Sequence, residues 1–178
     1  MTDLGVTGSQ TVGPYLHIGL LRPLIGPEVV ARDAPGAIVI RGRLVDGAGA
    51  PVPDGMIETW QADPDGRYGT AGFVGLGRSG TVDSGAFELV TGKPGRVAYP
   101  DGRLQAPHVA VSVFARGLLK RLATRLYFPD EAEANASDPV LGLLSDEERA
   151  TLIAVPDDGF VRFDIRLQGS GQTTFFAV

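Results

Sequence analysis

Four tyrosines (Tyr15, Tyr68, Tyr99 and Tyr127) and two histidines (His17 and His108) are the side chains best suited to hold or activate a ligand. Phenolate oxygen and imidazole nitrogen both serve as metal ligands. Spacing limits what they can do here. His108 lies on the less apolar face of an alternating run, so a strand would place a second ligand on that face two residues on. That position is Ala110, which cannot ligate. His108 therefore has two readings: a hydrogen-bonded structural histidine, or one member of a wider ligand set. Arg116 closes the same run at Phe114-Ala115-Arg116-Gly117. It is either a surface arginine at a strand end or a fixed cation for a carboxylated ligand, since guanidinium and carboxylate pair in a planar fork.

Other motifs have plainer readings. Gly75-x-Gly77-x-x-Gly80 has dinucleotide-fingerprint spacing, but no strand leads in and no helix follows before Thr81-Val82-Asp83-Ser84-Gly85, so a loop is expected. Asp63-Pro64-Asp65-Gly66 resembles the start of a calcium loop, yet Val74 stands where the bidentate glutamate should be, which leaves a turn. Two histidines and no G-x-S-x-G give a serine hydrolase no elbow.

The elements that position these residues are short. Alternation predicts strands at Ala37–Val45, Met56–Gln61, Ala86–Thr91, Pro107–Arg116, Thr124–Phe128 and Phe160–Gln168, with a last one at Thr173–Val178. In the fourth, Val109, Val111 and Val113 share one face and His108, Ala110, Ser112 and Phe114 the other. Helix signals are few. Ser145 with Glu148 three residues on forms a capping box, with a helix expected to run to about Ala154, and Asp130–Asn135 suits a single turn. Residues 1–36 lack any sustained period and hold Gly13-Pro14, Arg22-Pro23 and Pro35-Gly36. They read as an extended N-terminal arm before a domain at 37–178. Its apolar content requires packing on the chain's own body or on a partner. The expectation is an all-β protein, a β-sandwich with one or two short helices.

Composition excludes whole classes of function. The 25 glycines among 178 residues are about twice the usual share of roughly 7% and favour turns over long helices. The formal net charge of -5, with no lysine/arginine cluster, argues against nucleic acid and anionic membrane surfaces. There is no cysteine, so disulfides, thiol catalysis and cysteine-ligated clusters are excluded. The apolar stretch from Tyr15 to Ile25 is broken by His17, Arg22 and Pro23 and suits neither a signal peptide nor a membrane span. A cytoplasmic protein is expected.

Several segments together resemble the intradiol ring-cleavage dioxygenases, in particular the iron-free α chains of the protocatechuate-cleaving branch. They are Ser9–Tyr15, Trp60–Asp63 running to Gly66-Arg67-Tyr68, Ala106-Pro107-His108 through Gly117, Thr124–Phe128 with Asp138–Leu141, and Arg162–Gly169 with Phe175-Phe176. They stand in family order. The resemblance implies a β-sandwich core in an α/β heterodimer that associates further. A partner β subunit would bind non-haem Fe3+ through two tyrosines and two histidines, the latter from an H-x-H on one strand. The implied reaction cleaves 3,4-dihydroxybenzoate (protocatechuate) with O2 to 3-carboxy-cis,cis-muconate in the β-ketoadipate pathway of aromatic catabolism.

The same resemblance makes Tyr68 and His108 vestigial ligand positions, with Ala110 in place of a ligand. Tyr99 is offset from the second tyrosine's position. By motif match, Thr11, Gly13, Pro14 and Tyr15 line the partner's substrate pocket, Arg116 adds a charge there, and this chain alone has no catalytic residue. Two other readings stand beside this one. One is a self-sufficient intradiol enzyme with an atypical iron site from Tyr68, Tyr99 and His108; the other is a non-enzymatic β-sandwich binding module.

Overall fold

The structure is a computed structural model that describes residues 11–13, 15–21 and 25–177. Two sheets pack face to face. The first has the order β4-β1-β8-β7, with β9 also pairing with β1. It comprises β1 (Ala37–Val45), β4 (Ala86–Gly92), β7 (Val155–Asp157), β8 (Phe160–Arg162) and β9 (Ile165–Arg166). The second has the order β3-β2-β5-β6, from β2 (Met56–Trp60), β3 (Leu76–Gly80), β5 (His108–Phe114) and β6 (Leu122–Tyr127). Alternation drives the packing. Val109, Val111 and Val113 of β5 point into the core, where they meet Ile40 and Leu44 of β1, Phe87 and Leu89 of β4, and Phe163 and Ile165. The opposite face of β5 carries His108, Ala110 and Ser112, as the pattern requires. The expected all-β sandwich is the observed one.

Four local expectations need correction. Gly75–Gly80 is not a loop: Leu76–Gly80 is β3, an edge strand of the second sheet. Its glycines serve close packing. A Cβ on Gly77 would sit 2.8 Å from Val29 and 2.9 Å from Thr59, and Gly75 takes φ +76° beside the Gln61 carbonyl. The Phe160–Gln168 strand is split into β8 and β9. At the break Phe163 N donates to Arg41 O (2.8 Å), while Asp164 Oδ1 accepts from Arg43 N (3.0 Å), a side chain replacing a backbone carbonyl. Gly42 has no room for a Cβ against Phe163 O there.

The helix after Ser145 stops at Ala150 rather than Ala154. The capping box is present, but the backbone beyond is taken by β6: Tyr127 N donates to Leu152 O and Ala154 N to Tyr127 O, both at 2.9 Å. The tail from Thr173 makes a single bridge, Phe176 to Ala123, instead of a strand. Thr124 Oγ1 and Thr151 Oγ1 tie it down at Thr174, and Val178 lies outside the described residues. The single turn at Asp130–Asn135 is a helix at Ala132–Ala136.

The arm holds a further short helix, α1 (Tyr15–Leu20). Downstream, Gly26–Val29 docks on the chain's own edge strands: Arg78 N donates to Gly26 O, Val90 N to Pro27 O, and Val29 N to Val90 O. No helix among the described residues is long and apolar enough to cross a membrane.

Candidate functional site

Two places collect the residues singled out above. The first is the end of β5, where the chain leaves Phe114 for Ala115-Arg116-Gly117. Thr11 of the arm reaches it, its Oγ1 accepting a hydrogen bond from Gly117 N at 3.0 Å. Arg116 Nε lies 3.0 Å from Asp54 Oδ2, yet the Arg116 side chain is 76% exposed. Tyr15 is 80% exposed, and a Cβ placed on Gly13 would meet nothing within 4 Å. Thr11 and Arg116 are thus brought to one corner. Tyr15 and Gly13 present open surface a few residues along the arm, and Pro14 lies outside the described residues, as does the side chain of His17.

The second place is the outer face of the β3-β2-β5-β6 sheet. Cross-strand register aligns Trp60, Ala110 and Arg125 as one row, and His108 with Tyr127 as the next pair on β5 and β6. His108 is buried. Its Nδ1 lies 2.8 Å from the Ala106 carbonyl, so that nitrogen carries the proton, and its ring packs tilted on Tyr127 with centroids 5.5 Å apart. Burial lowers the His108 pKa to about 4, and the Arg125 cation adds to the effect; the Ala106 carbonyl and Asp138 oppose it. Burial likewise raises the Tyr127 phenol well above its ordinary value against a lowering from Arg125. Tyr68 sits at the rim, stacked on Trp60 at 5.8 Å, and its phenol is also raised by burial, with Arg125 opposing. Tyr99, half-buried, lines a neighbouring hollow with Ala110 and Arg125.

Asp138 organises this face from below. Its Oδ2 accepts from Ala106 N (2.7 Å), and its Oδ1 from Val140 N (2.8 Å), Leu141 N (2.9 Å) and the Tyr127 hydroxyl (3.3 Å). Arg125 Nη1 donates to Gln105 Oε1 (2.8 Å) and to Tyr127 OH (3.2 Å). Neither Asp138 nor Arg125 stood out in the sequence. The signal for Arg125 was its parity with Tyr127 on β6, which becomes informative only once β6 is paired beside Ala110. Asp138 was marked only as the start of the Asp138–Leu141 segment of the resemblance, with no role attached.

These donors do not fit a metal ion. Ala110 offers no donor where a second ligand would stand, the Tyr68 phenol is stacked on the Trp60 indole with its pKa raised by burial, and the Arg125 guanidinium occupies the same row as Ala110, which leaves His108 Nε2 as a lone imidazole donor. Among the described residues no three histidine, cysteine, aspartate or glutamate side chains cluster as metal ligands. The Asp63 segment is the expected turn. Its carboxylate accepts from Asp65 N, Arg67 N and Thr70 Oγ1, and the Arg67 amide is the largest cause of its lowered pKa.

A family model described as Dioxygenase matches residues 28–169. The chain belongs to this dioxygenase family. Within it, the protocatechuate 3,4-dioxygenase alpha chain of Pseudomonas putida is 46% identical, covering 96% of this chain and 95% of that one. The protocatechuate 3,4-dioxygenase beta chain of Burkholderia cepacia is 32% identical, covering 94% of this chain and 78% of its own length. The 3-chlorocatechol 1,2-dioxygenase of Rhodococcus opacus 1CP superposes with TM-score 0.63 at 23% identity, covering 89% of this chain and 72% of that one, and so shares the fold. Dioxygenase relatives thus include both chain types of one enzyme, and this chain resembles the alpha type across nearly its whole length.

Proposed function

We propose that this chain is the non-iron-binding α subunit of a protocatechuate 3,4-dioxygenase. With a β subunit that holds Fe3+, it cleaves protocatechuate with O2 to 3-carboxy-cis,cis-muconate in the cytoplasm. The observation that carries this reading is the 46% identity over nearly the full length of a chain named as that enzyme's alpha chain. The donor set supports the division of labour, because, of the positions resembling iron ligands, one carries an alanine and another a tyrosine stacked on an indole, with a guanidinium in the same row. Ring cleavage belongs to the β subunit.

This chain supplies surface. Thr11, Gly13, Pro14, Tyr15 and Arg116 line the partner's substrate pocket, and the arm of residues 1–36 packs on the partner, while its Gly26–Val29 segment docks on the chain's own edge strands. The physics suits the task. Gly13 allows close backbone approach, Tyr15 offers an apolar wall with a polar tip, and Arg116 can turn a guanidinium toward a carboxylate. The exposure of Tyr15 and Arg116 in the single chain is what such a role requires.

The test is iron content and protocatechuate-dependent O2 uptake, for the full chain alone and co-expressed with a β chain. The reading expects neither iron nor uptake alone and both in the complex. Iron and uptake in the lone chain would instead make Tyr68, Tyr99 and His108 a working site. A chain that neither captures a β subunit nor affects its activity would be a binding module.

A further inference from the structure

The outer face of the second sheet carries a cavity of about 480 Å3 beside the β5–β6 pair. Ala110 and Ala123 make its floor, Tyr99 and Phe176 contribute walls, and Arg121 and Arg125 both line it. Arg125 faces it from β6 and Arg121 from the residue just before that strand. Arg121 Nη1 donates to Ser112 Oγ at 3.0 Å, and Arg125 uses only Nη1, on Gln105 and Tyr127. A guanidinium has five N–H donors. Among the described residues, the rest of both forks have no hydrogen-bond partner, and neither arginine is paired with a carboxylate. In the larger cavity beside β1 and β4, two of the three arginines are paired, Arg41 with Glu88 and Arg162 with Asp157 and Asp164, which leaves Arg43 without a carboxylate among the described residues.

A concave site of this size, apolar in floor and walls and bearing two unspent forks, has the make-up of a small-ligand site. The aromatic walls suit a flat body. The unpaired guanidiniums suit two carboxylates, each able to take a bidentate pair. We propose that this cavity binds a planar organic dianion, an aromatic or conjugated dicarboxylate, with its flat body over Ala110 and Ala123 and its charges on Arg121 and Arg125. The small floor is the selective element, because a larger residue at either alanine would fill the space the ring takes. A compact inorganic anion would use the cations and leave the walls idle.

Calorimetric titration of the full chain tests this, with isophthalate as the probe and benzoate and inorganic phosphate as comparisons. Saturable 1:1 binding of isophthalate, at least tenfold tighter than either comparison, is expected. Arg121→Gln should weaken it tenfold or more. Arg121 is exposed and lies outside the strand ladder, so this variant folds. Ala123→Leu should abolish isophthalate binding while keeping both charges, with circular dichroism reporting the fold. The proposal is overturned if isophthalate binds no tighter than benzoate, if phosphate binds as well as isophthalate, or if folded Arg121→Gln and Ala123→Leu proteins bind isophthalate unchanged.

Discussion

The two ends of β5 solve opposite problems. At its start, His108, Tyr127 and Asp138 are buried: Asp138 and the Tyr127 hydroxyl bond to one another, to backbone and to Arg125, and His108 bonds the Ala106 carbonyl through Nδ1. At its end, Thr11 and Arg116 are exposed and joined, among the described residues, by the Gly117 N hydrogen bond to Thr11 and the Arg116–Asp54 ion pair, and Gly13 and Tyr15 are exposed a little further along the arm. The buried end retains side chains able to do chemistry and holds most of their polar atoms in structural bonds. The exposed end has little chemistry of its own and leaves its groups free for another molecule. A side chain's type says what it can do; whether its valences are already used decides what it does.

The largest effect is expected at Asp138. Its carboxylate satisfies three backbone N–H groups and one phenol, and removing it strands them in a buried place. Unsatisfied buried groups cost roughly 1–3 kcal/mol each, so Asp138→Ala should lower unfolding stability by about 4 kcal/mol or more in urea titration. Loss of under about 1 kcal/mol would mean that this end of β5 is not the structural knot described here, and the contrast between the two ends would fall.

His108 comes next and gives the contrast a pH signature. Its folded-state pKa is lowered from 6.5 to about 4. The unfolded chain therefore binds a proton that the folded one refuses between those values, and stability falls as pH drops from 6.5 to 4, then levels off for this group. The shift corresponds to roughly 3 kcal/mol. His108→Phe should remove that part of the acid sensitivity, visible as a flatter stability–pH curve than the parent's between pH 6.5 and 4. The carboxylates of both proteins titrate alike, so the difference isolates the imidazole. Parallel curves would show that His108 is open to solvent and free for other work.

Much of this was legible in advance. The valines of β5 and the breaks at glycine and proline foretold a sandwich, and the start of the Asp146–Ala150 helix was written in Ser145 and Glu148. Other features depend on partners distant in sequence. β3 was unreadable because its glycines answer to Val29 and Thr59, which touch it only after folding. The split between β8 and β9 depends on Asp164 meeting Arg43, 121 positions away. At the candidate site, His108, Ala110 and Arg116 were visible as residue types on one alternating run. Arg125 and Asp138 were not, because their roles arise from register across β5 and β6 and from a loop that folds beneath them.

Arg116 gives the smallest expected stability effect and the sharpest contrast. Its ion pair with Asp54 is exposed, and exposed pairs contribute about 0–1 kcal/mol. Arg116→Ala should therefore move the urea midpoint of the chain very little, and leave the iron content of the assembled enzyme unchanged. If the exposed end of β5 serves the partner's substrate, the same variant should raise KM for protocatechuate or lower kcat by about tenfold to a hundredfold, the size of one lost charge-assisted hydrogen bond of roughly 1.5–3 kcal/mol. The split between the two readouts decides the matter. A variant that loses turnover through loosened structure loses stability and iron with it. One that keeps both while turnover drops has lost a contact made outside its own chain. Unchanged kinetics would remove Arg116 from the site and leave the arm residues to carry that role without it.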